Sequence, residues 1–190
     1  MVHQTTTKHI LHYLAGTKSK GIIYQSELTE LQGSNPFYGY ADTAYANADD
    51  YHSTSGYVFL VSSRAITWGS RKQTIITLSS TEAEYVALSE AARETKWLAA
   101  LYVELGYQPH GPITILGDNN GSIAMVTNPQ FHKWSKHIII RYHWIREHIG
   151  QNILQIHQCH DLQQTANILT KALTPNKHNR HTVGLGISTA

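Results

Sequence analysis

Three short segments set acidic residues beside residues that end strands or open helices. They are Tyr40-Ala41-Asp42, Ser79-Ser80-Thr81-Glu82-Ala83-Glu84-Tyr85 and Gly117-Asp118-Asn119-Asn120. Carboxylates gathered from separate segments make the hard, all-oxygen surroundings that Mg²⁺ and similar ions take. Each segment also has a plainer reading. Aspartate after a strand is a common turn former or helix cap, and Asp118-Asn119-Asn120-Gly121 is turn-like throughout. Of the two glutamates, Glu82 completes a Ser79-x-x-Glu82 capping box. Glu84 lies at the centre of a helical stripe. At about 100° per residue, Leu88, Ala91, Thr95, Leu98, Tyr102 and Leu105 fall within roughly 60° of it, with Glu82, Arg93 and Lys96 on the opposite half. A carboxylate on a buried stripe is costly without a partner, so Glu84 calls for a metal, a cation or a hydrogen-bond network. A second box, Thr81-x-x-Glu84, is the alternative.

These acids must be positioned by the elements around them. Residues 5–15 read as a short helix with Ile10, Leu11 and Leu14 on one side and Gly16 at its end; an apolar run, 21–24, follows. Residues 25–35 are polar and lead to Pro36, as a linker or loop does. Strands are expected at 37–44, 55–61 and 65–70, with Ser62-Ser63-Arg64 as a tight turn, which makes an antiparallel meander. The clearest helix spans 79–105 and is closed by Gly106. A strand at 113–116, helices at 119–127 and 137–148, a strand at 153–157 and a last helix at 162–172 complete the order. That order predicts an α/β chain: a mixed central sheet with a three-strand antiparallel meander, flanked by helices.

With 190 residues the chain is long enough for one domain with a proper core. Hydrophobic residues at 41% and charged residues at 15% exclude a disordered chain. No apolar run approaches the ~18 residues of a membrane span, and no signal-peptide core is present, so an intracellular location is expected. The single cysteine, Cys159, excludes an internal disulfide and a cysteine-rich zinc module. A net charge of +2 gives no strong global field, so any nucleic-acid partner must be held by local basic patches.

The densest basic stretch is His132, Lys133, Lys136, His137, Arg141, Arg146 and His148, interleaved with Trp134, Tyr142 and Trp144. By itself it reads more readily as a helix with a solvated basic face than as a phosphate-contacting surface. His157-x-Cys159-His160 lacks the second ligand pair that zinc needs. Trp68 and Trp97 are expected to be packing residues.

From His3 to Ile187 the chain closely resembles the RNase H region of copia-type LTR retrotransposon polyproteins. The residues that carry the resemblance run in order: Ser53-Thr54-Ser55-Gly56-Tyr57-Val58, Ala65-Ile66-Thr67-Trp68, Leu78-Ser79-Ser80-Thr81-Glu82-Ala83-Glu84-Tyr85, Asp118-Asn119-Asn120, Lys136-His137-Ile138, Ile140-Arg141-Tyr142-His143 and Ile168-Leu169-Thr170-Lys171. The resemblance implies an RNase H-like fold over 35–175, with 1–34 as the end of a reverse transcriptase connection plus linker and 176–190 as a tail. It implies a nuclease that uses two Mg²⁺ ions, with Mn²⁺ as a substitute, held by Asp42, Glu84 and Asp118, with Asn167 at the fourth position. The RNA strand of an RNA–DNA hybrid would be the substrate, and the polyprotein's reverse transcriptase a partner. Ser80, Asn119 and Asn120 would touch the hybrid beside the metals, and Lys133, Lys136 and Arg141 its phosphates; no small-molecule substrate or membrane is implied.

Two departures bear on activity. Asn167 stands where the family pattern has aspartate, leaving three negative charges where four are usual. Asp42-Thr43-Ala44-Tyr45 replaces the family's Asp-Ala-Asp-Trp. The expectation is a weakened nuclease that Asn167→Asp would strengthen, and the alternative is an inactive remnant that binds nucleic acid weakly at most.

Overall fold

The computed structural model describes residues 2–24, 35–127 and 136–189. Its centre is a five-stranded sheet. The meander is β2 (Tyr38–Ala44), β3 (Thr54–Val61) and β4 (Arg64–Lys72), and β5 (Ile113–Gly117) and β6 (Leu154–Gln158) extend it on the β2 side. The strand order is β4-β3-β2-β5-β6; the meander pairs antiparallel, while β2–β5 and β5–β6 pair parallel. The β3–β4 hairpin turns on Ser62 and Ser63, both at positive φ, the backbone that a tight two-residue turn requires.

β3 is buried on both faces, and its alternation divides the core. Tyr57 and Phe59 face one side, with Phe37, Ala41, Leu88, Ile115 and Ile145. Val58 and Leu60 face the other, with Ala65, Ala166 and Leu185. The first side is covered by α2 (Ser80–Glu104), α3 (Asn120–Thr127) and α4 (Lys136–Gly150). Helix α2 starts where the sequence places it: Ser79 Oγ accepts from the Glu82 N–H at 3.2 Å, and Glu82 Oε2 accepts from the Leu78 N–H at 2.6 Å. It ends at Leu105, after which Gly106 has φ +87. Leu88, Ala91, Thr95 and Leu98 are buried as the stripe predicts. The stripe stops there, because Tyr102 is half-buried and Leu105, at the helix C-cap, is exposed. Glu82, assigned to the opposite half, is buried because its carboxylate closes the cap.

Four expectations are corrected. Helix α1 (Val2–Thr17) runs through Gly16, and its Ile10, Leu11 and Leu14 are all more than half exposed, so that face is not turned to the core. The last helix is broken into a 3₁₀ turn (Asp161–Gln163) and the short α5 (Asn167–Thr170). The break allows the buried Gln164 side chain to donate to the Ala41 carbonyl at 2.9 Å, stitching the segment to β2. The stretch from 176 onward lies within helix α6 (Pro175–Gly184) and strand β7 (Ile187–Thr189). β7 pairs antiparallel with β1 (Lys20–Ile22), while the Ala65 N–H donates to the Leu185 carbonyl at 3.1 Å. It is therefore no loose tail, since its backbone groups pair with the N-terminal stretch and with β4. Trp68 and Trp97 are exposed rather than packed.

Candidate metal centre

Parallel pairing of β2 and β5 carries the ends of both strands to one edge of the sheet, and the first turns of α2 reach that edge. Gln73 fixes the approach: its buried Nε2 donates to Ser55 Oγ and to the Ala83 carbonyl, both at 2.9 Å, tying the end of β4 and the strand beside β2 to the residue before Glu84. There Asp42, Glu84 and Asp118 offer carboxylate oxygens that all lie within 4.8 Å of one another. Asp42 and Glu84 are buried, and Asp118 is half-buried.

Three carboxylates so close raise one another's proton affinity, and burial does so more strongly. Burial first, then the charges of Asp42 and Asp118, push Glu84 up from 4.5 to about 9. Asp42 is pushed up from 3.8 to about 6, chiefly by burial, although Lys171 and the Thr170 hydroxyl draw it down. Asp118 is also raised, burial again being the main cause. Thr170 Oγ1 donates to Asp42 Oδ2, and Lys171 Nζ lies 3.6 Å from the same oxygen. Asp42 Oδ1 is buried with no hydrogen-bond partner. An all-oxygen set with a buried, unsatisfied carboxylate oxygen fits a hard divalent cation.

Asn167, expected at the fourth position, is buried in the first turn of α5. Its backbone carbonyl is 3.2 Å from the Thr170 hydroxyl that also contacts Asp42. The expected nucleic-acid contacts are divided. Ser80 and Asn120 are exposed at the first positions of α2 and α3. Asn119 Oδ1 instead accepts from the Ser122 N–H at 2.9 Å, the capping job that its turn-like setting suggested. Arg141 leans on α2, donating to Ser89 Oγ at 3.2 Å, beside a groove lined also by Arg93, Lys96, Trp97 and Trp144. Lys133 lies outside the described residues, and Lys136 is described only as the first residue of α4. Cys159 is buried, and burial followed by Asp118 and Asp42 pushes its thiol up to about 11, the reverse of what zinc ligation requires.

The chain is 36% identical over 173 residues to the Retrovirus-related Pol polyprotein from transposon RE2 of Arabidopsis thaliana, covering 90% of this chain and 12% of that protein. It is 35% identical over 177 residues to the corresponding polyprotein from transposon TNT 1-94 of Nicotiana tabacum, covering 92% of this chain and 13% of that one. The chain is a homologue of copia-type Pol polyproteins. No family model matches it. Its structure resembles that of LC11-RNase H1 solved in complex with RNA/DNA hybrid, with a TM-score of 0.53 at 14% identity, covering 70% of this chain and 93% of that one. This Pol homologue therefore has an RNase H fold. It spans about an eighth of the length of these two polyproteins. Among the described residues no helix is long and apolar enough to cross a membrane.

Sequence reasoning quoted Thr170 and Lys171 without giving them a part in the site, and it missed Gln73 and Gln164 entirely. The first pair was signalled by its place beside Asn167. Nothing in the sequence marks the two glutamines.

The raised carboxyls have a consequence for stability. Between pH 4.5 and about 9 the folded chain keeps the Glu84 proton that the unfolded chain releases, and Asp42 does the same between 3.8 and about 6. A folded state that binds more protons loses stability as the pH rises. Thermal melts of the metal-free Pol homologue are expected to shift downward from pH 5 to pH 9, and Mg²⁺ should reduce that slope. A melting temperature that rises over this interval without metal would contradict the assignment.

Proposed function

We propose that this Pol homologue is a metal-dependent endonuclease that hydrolyses the RNA strand of RNA–DNA hybrids. The observation that carries the reading is the convergence of Asp42, Glu84 and Asp118 within 4.8 Å at one edge of an RNase H sheet. The hybrid in the LC11-RNase H1 complex supports the choice of substrate. Asp42, Glu84 and Asp118 would hold the divalent ions, Mg²⁺ or Mn²⁺, with Asn167 contributing a neutral oxygen. Such ions supply Lewis-acid stabilisation of the charge that develops on a phosphodiester under attack by water.

The chain's own residues hold the site in shape. Thr170 fixes one oxygen of Asp42 through its hydroxyl and leaves Oδ1 for a ligand. Lys171, 40% exposed, keeps positive charge beside the most buried carboxylate while reaching solvent, where a phosphate arrives. Ser80 and Asn120, exposed beside the cluster, face the sugar edges of a docked hybrid, where the 2′-hydroxyl distinguishes RNA from DNA. The reverse transcriptase part of a parent polyprotein is the expected partner, holding the hybrid in place.

The test is cleavage of a labelled RNA–DNA hybrid, with duplex DNA of the same sequence alongside. Cuts confined to RNA, dependent on Mg²⁺ or Mn²⁺ and lost on chelation, are expected. Asn167 favours a competing reading, an inactive remnant. A folded protein that cuts nothing with either ion would establish that reading instead.

A further inference from the structure

Asn167 is more than a lost carboxylate, because its amide is held in one orientation. Its Nδ2 lies 3.1 Å from Asp161 Oδ1 and 3.2 Å from the Asp161 carbonyl oxygen. Both of those oxygens only accept, so the face turned to them must be the NH₂ group. The amide oxygen then points away from Asp161. It is buried and has no hydrogen-bond partner, a cost that a ligand would relieve. The same residue is linked to the metal centre through Thr170, whose hydroxyl lies between Asp42 Oδ2 and the Asn167 carbonyl.

We propose that Asp161 is a positioning residue that locks the Asn167 amide so that its orphaned oxygen is presented to a cation held by Asp42, Glu84 and Asp118. This rests on the metal-centre reading above. The pair Asn167–Asp161 carries one negative charge, the same as a single aspartate at 167. The charge sits one hydrogen bond further out and is itself steadied by Lys177 Nζ, 3.2 Å from Asp161 Oδ2. An aspartate at 167 would set a second carboxylate against Asp161 where the Nδ2 now lies at 3.1 Å. Restoring the family's aspartate alone therefore gains little, which revises the expectation drawn from the sequence. Groups behind metal ligands commonly change affinity by about 10-fold or more when removed.

The measurement is Mn²⁺ binding to the full 190-residue chain, read from the free-ion electron paramagnetic resonance signal, with circular dichroism melts to verify folding. Asp161→Ala should weaken Mn²⁺ about 10-fold, and Asp161→Asn, which keeps an acceptor for Nδ2, should recover most of the loss. Asn167→Asp should bind no more tightly than the unaltered chain, whereas Asp161→Ala/Asn167→Asp should bind about 10-fold more tightly than Asn167→Asp. Equal effects of Asn167→Asp with and without Asp161 would overturn the proposal. So would Asp161→Asn falling as far as Asp161→Ala, since Asp161 would then act by charge alone. Asp42→Asn is the separate control: if it leaves Mn²⁺ binding intact, the metal-centre reading itself fails, whatever Asp161 does.

Discussion

Glu84→Gln is expected to remove hybrid cleavage, by on the order of 10³-fold or more, while raising the melting temperature of the metal-free protein. The two effects share one cause. Glu84 is buried beside Asp42 and Asp118, and burial and those charges push it from 4.5 to about 9. In the absence of a cation, ionising it costs the fold up to a few kcal/mol. Glutamine keeps the shape and removes that cost. In a chain of this length each kcal/mol shifts the melting temperature by about 2–4 °C. The gain should be largest at pH 8–9 and vanish near pH 5, where Glu84 already holds a proton. Asp42→Asn should abolish cleavage equally with a smaller gain, because Asp42 is raised only to about 6 and has Thr170 and Lys171 beside it. A residue kept at a cost to stability is the usual mark of a functional site. Melts with and without Mg²⁺, paired with hybrid cleavage, decide the matter. If Glu84→Gln lowers the metal-free melting temperature at pH 8, Glu84 is supporting the fold rather than waiting for an ion.

Glu84 was legible in the sequence because local rules set it on the buried stripe, whereas Asp42 and Asp118 read by themselves as turn formers and joined it only through the resemblance. Glu84 is separated from Glu82 by the wheel and the cap together, and the structure gives Glu82 the cap and Glu84 the cluster. The meander and α2 were legible for the same reason, since a β-prone run closed by a tight turn and a 3.6-residue stripe are local signals. What escaped depends on contacts distant in sequence. Gln164 is a polar residue within an apparently helical stretch until its amide is seen on the Ala41 carbonyl, 123 residues away. Asp161 gave no signal because its role is to meet a side chain six residues on, across a break in the helix that the pattern did not show. The pairing of β1 with β7 was equally hidden, since three-residue strands are too short to show a period.

A final expected result concerns how α5 reaches the site. Gly56 pairs in register with Asp42 across β2 and β3. A Cβ at Gly56 would lie 2.6 Å from Thr170 Cγ2, 3.0 Å from Leu169 Cβ and 3.3 Å from the Ala166 carbonyl. Glycine is thus required by close approach, since α5 rests directly on the strand. Gly56→Ala must lift α5, and with it Thr170 from Asp42. Overpacking of this kind costs about 1–3 kcal/mol, so a melting temperature lower by roughly 4–8 °C is expected for a 2 kcal/mol loss. Cleavage should fall by about 10-fold or more, because the group orienting Asp42 has moved. The worst contact is with the Thr170 methyl, which serine lacks while keeping the hydroxyl bound to Asp42. Gly56→Ala/Thr170→Ser should therefore recover much of both losses, leaving the Leu169 contact as residue. Recovery of stability without recovery of cleavage would mean that α5 supports the fold but not the chemistry, and that Thr170 is not what sets Asp42 for a ligand.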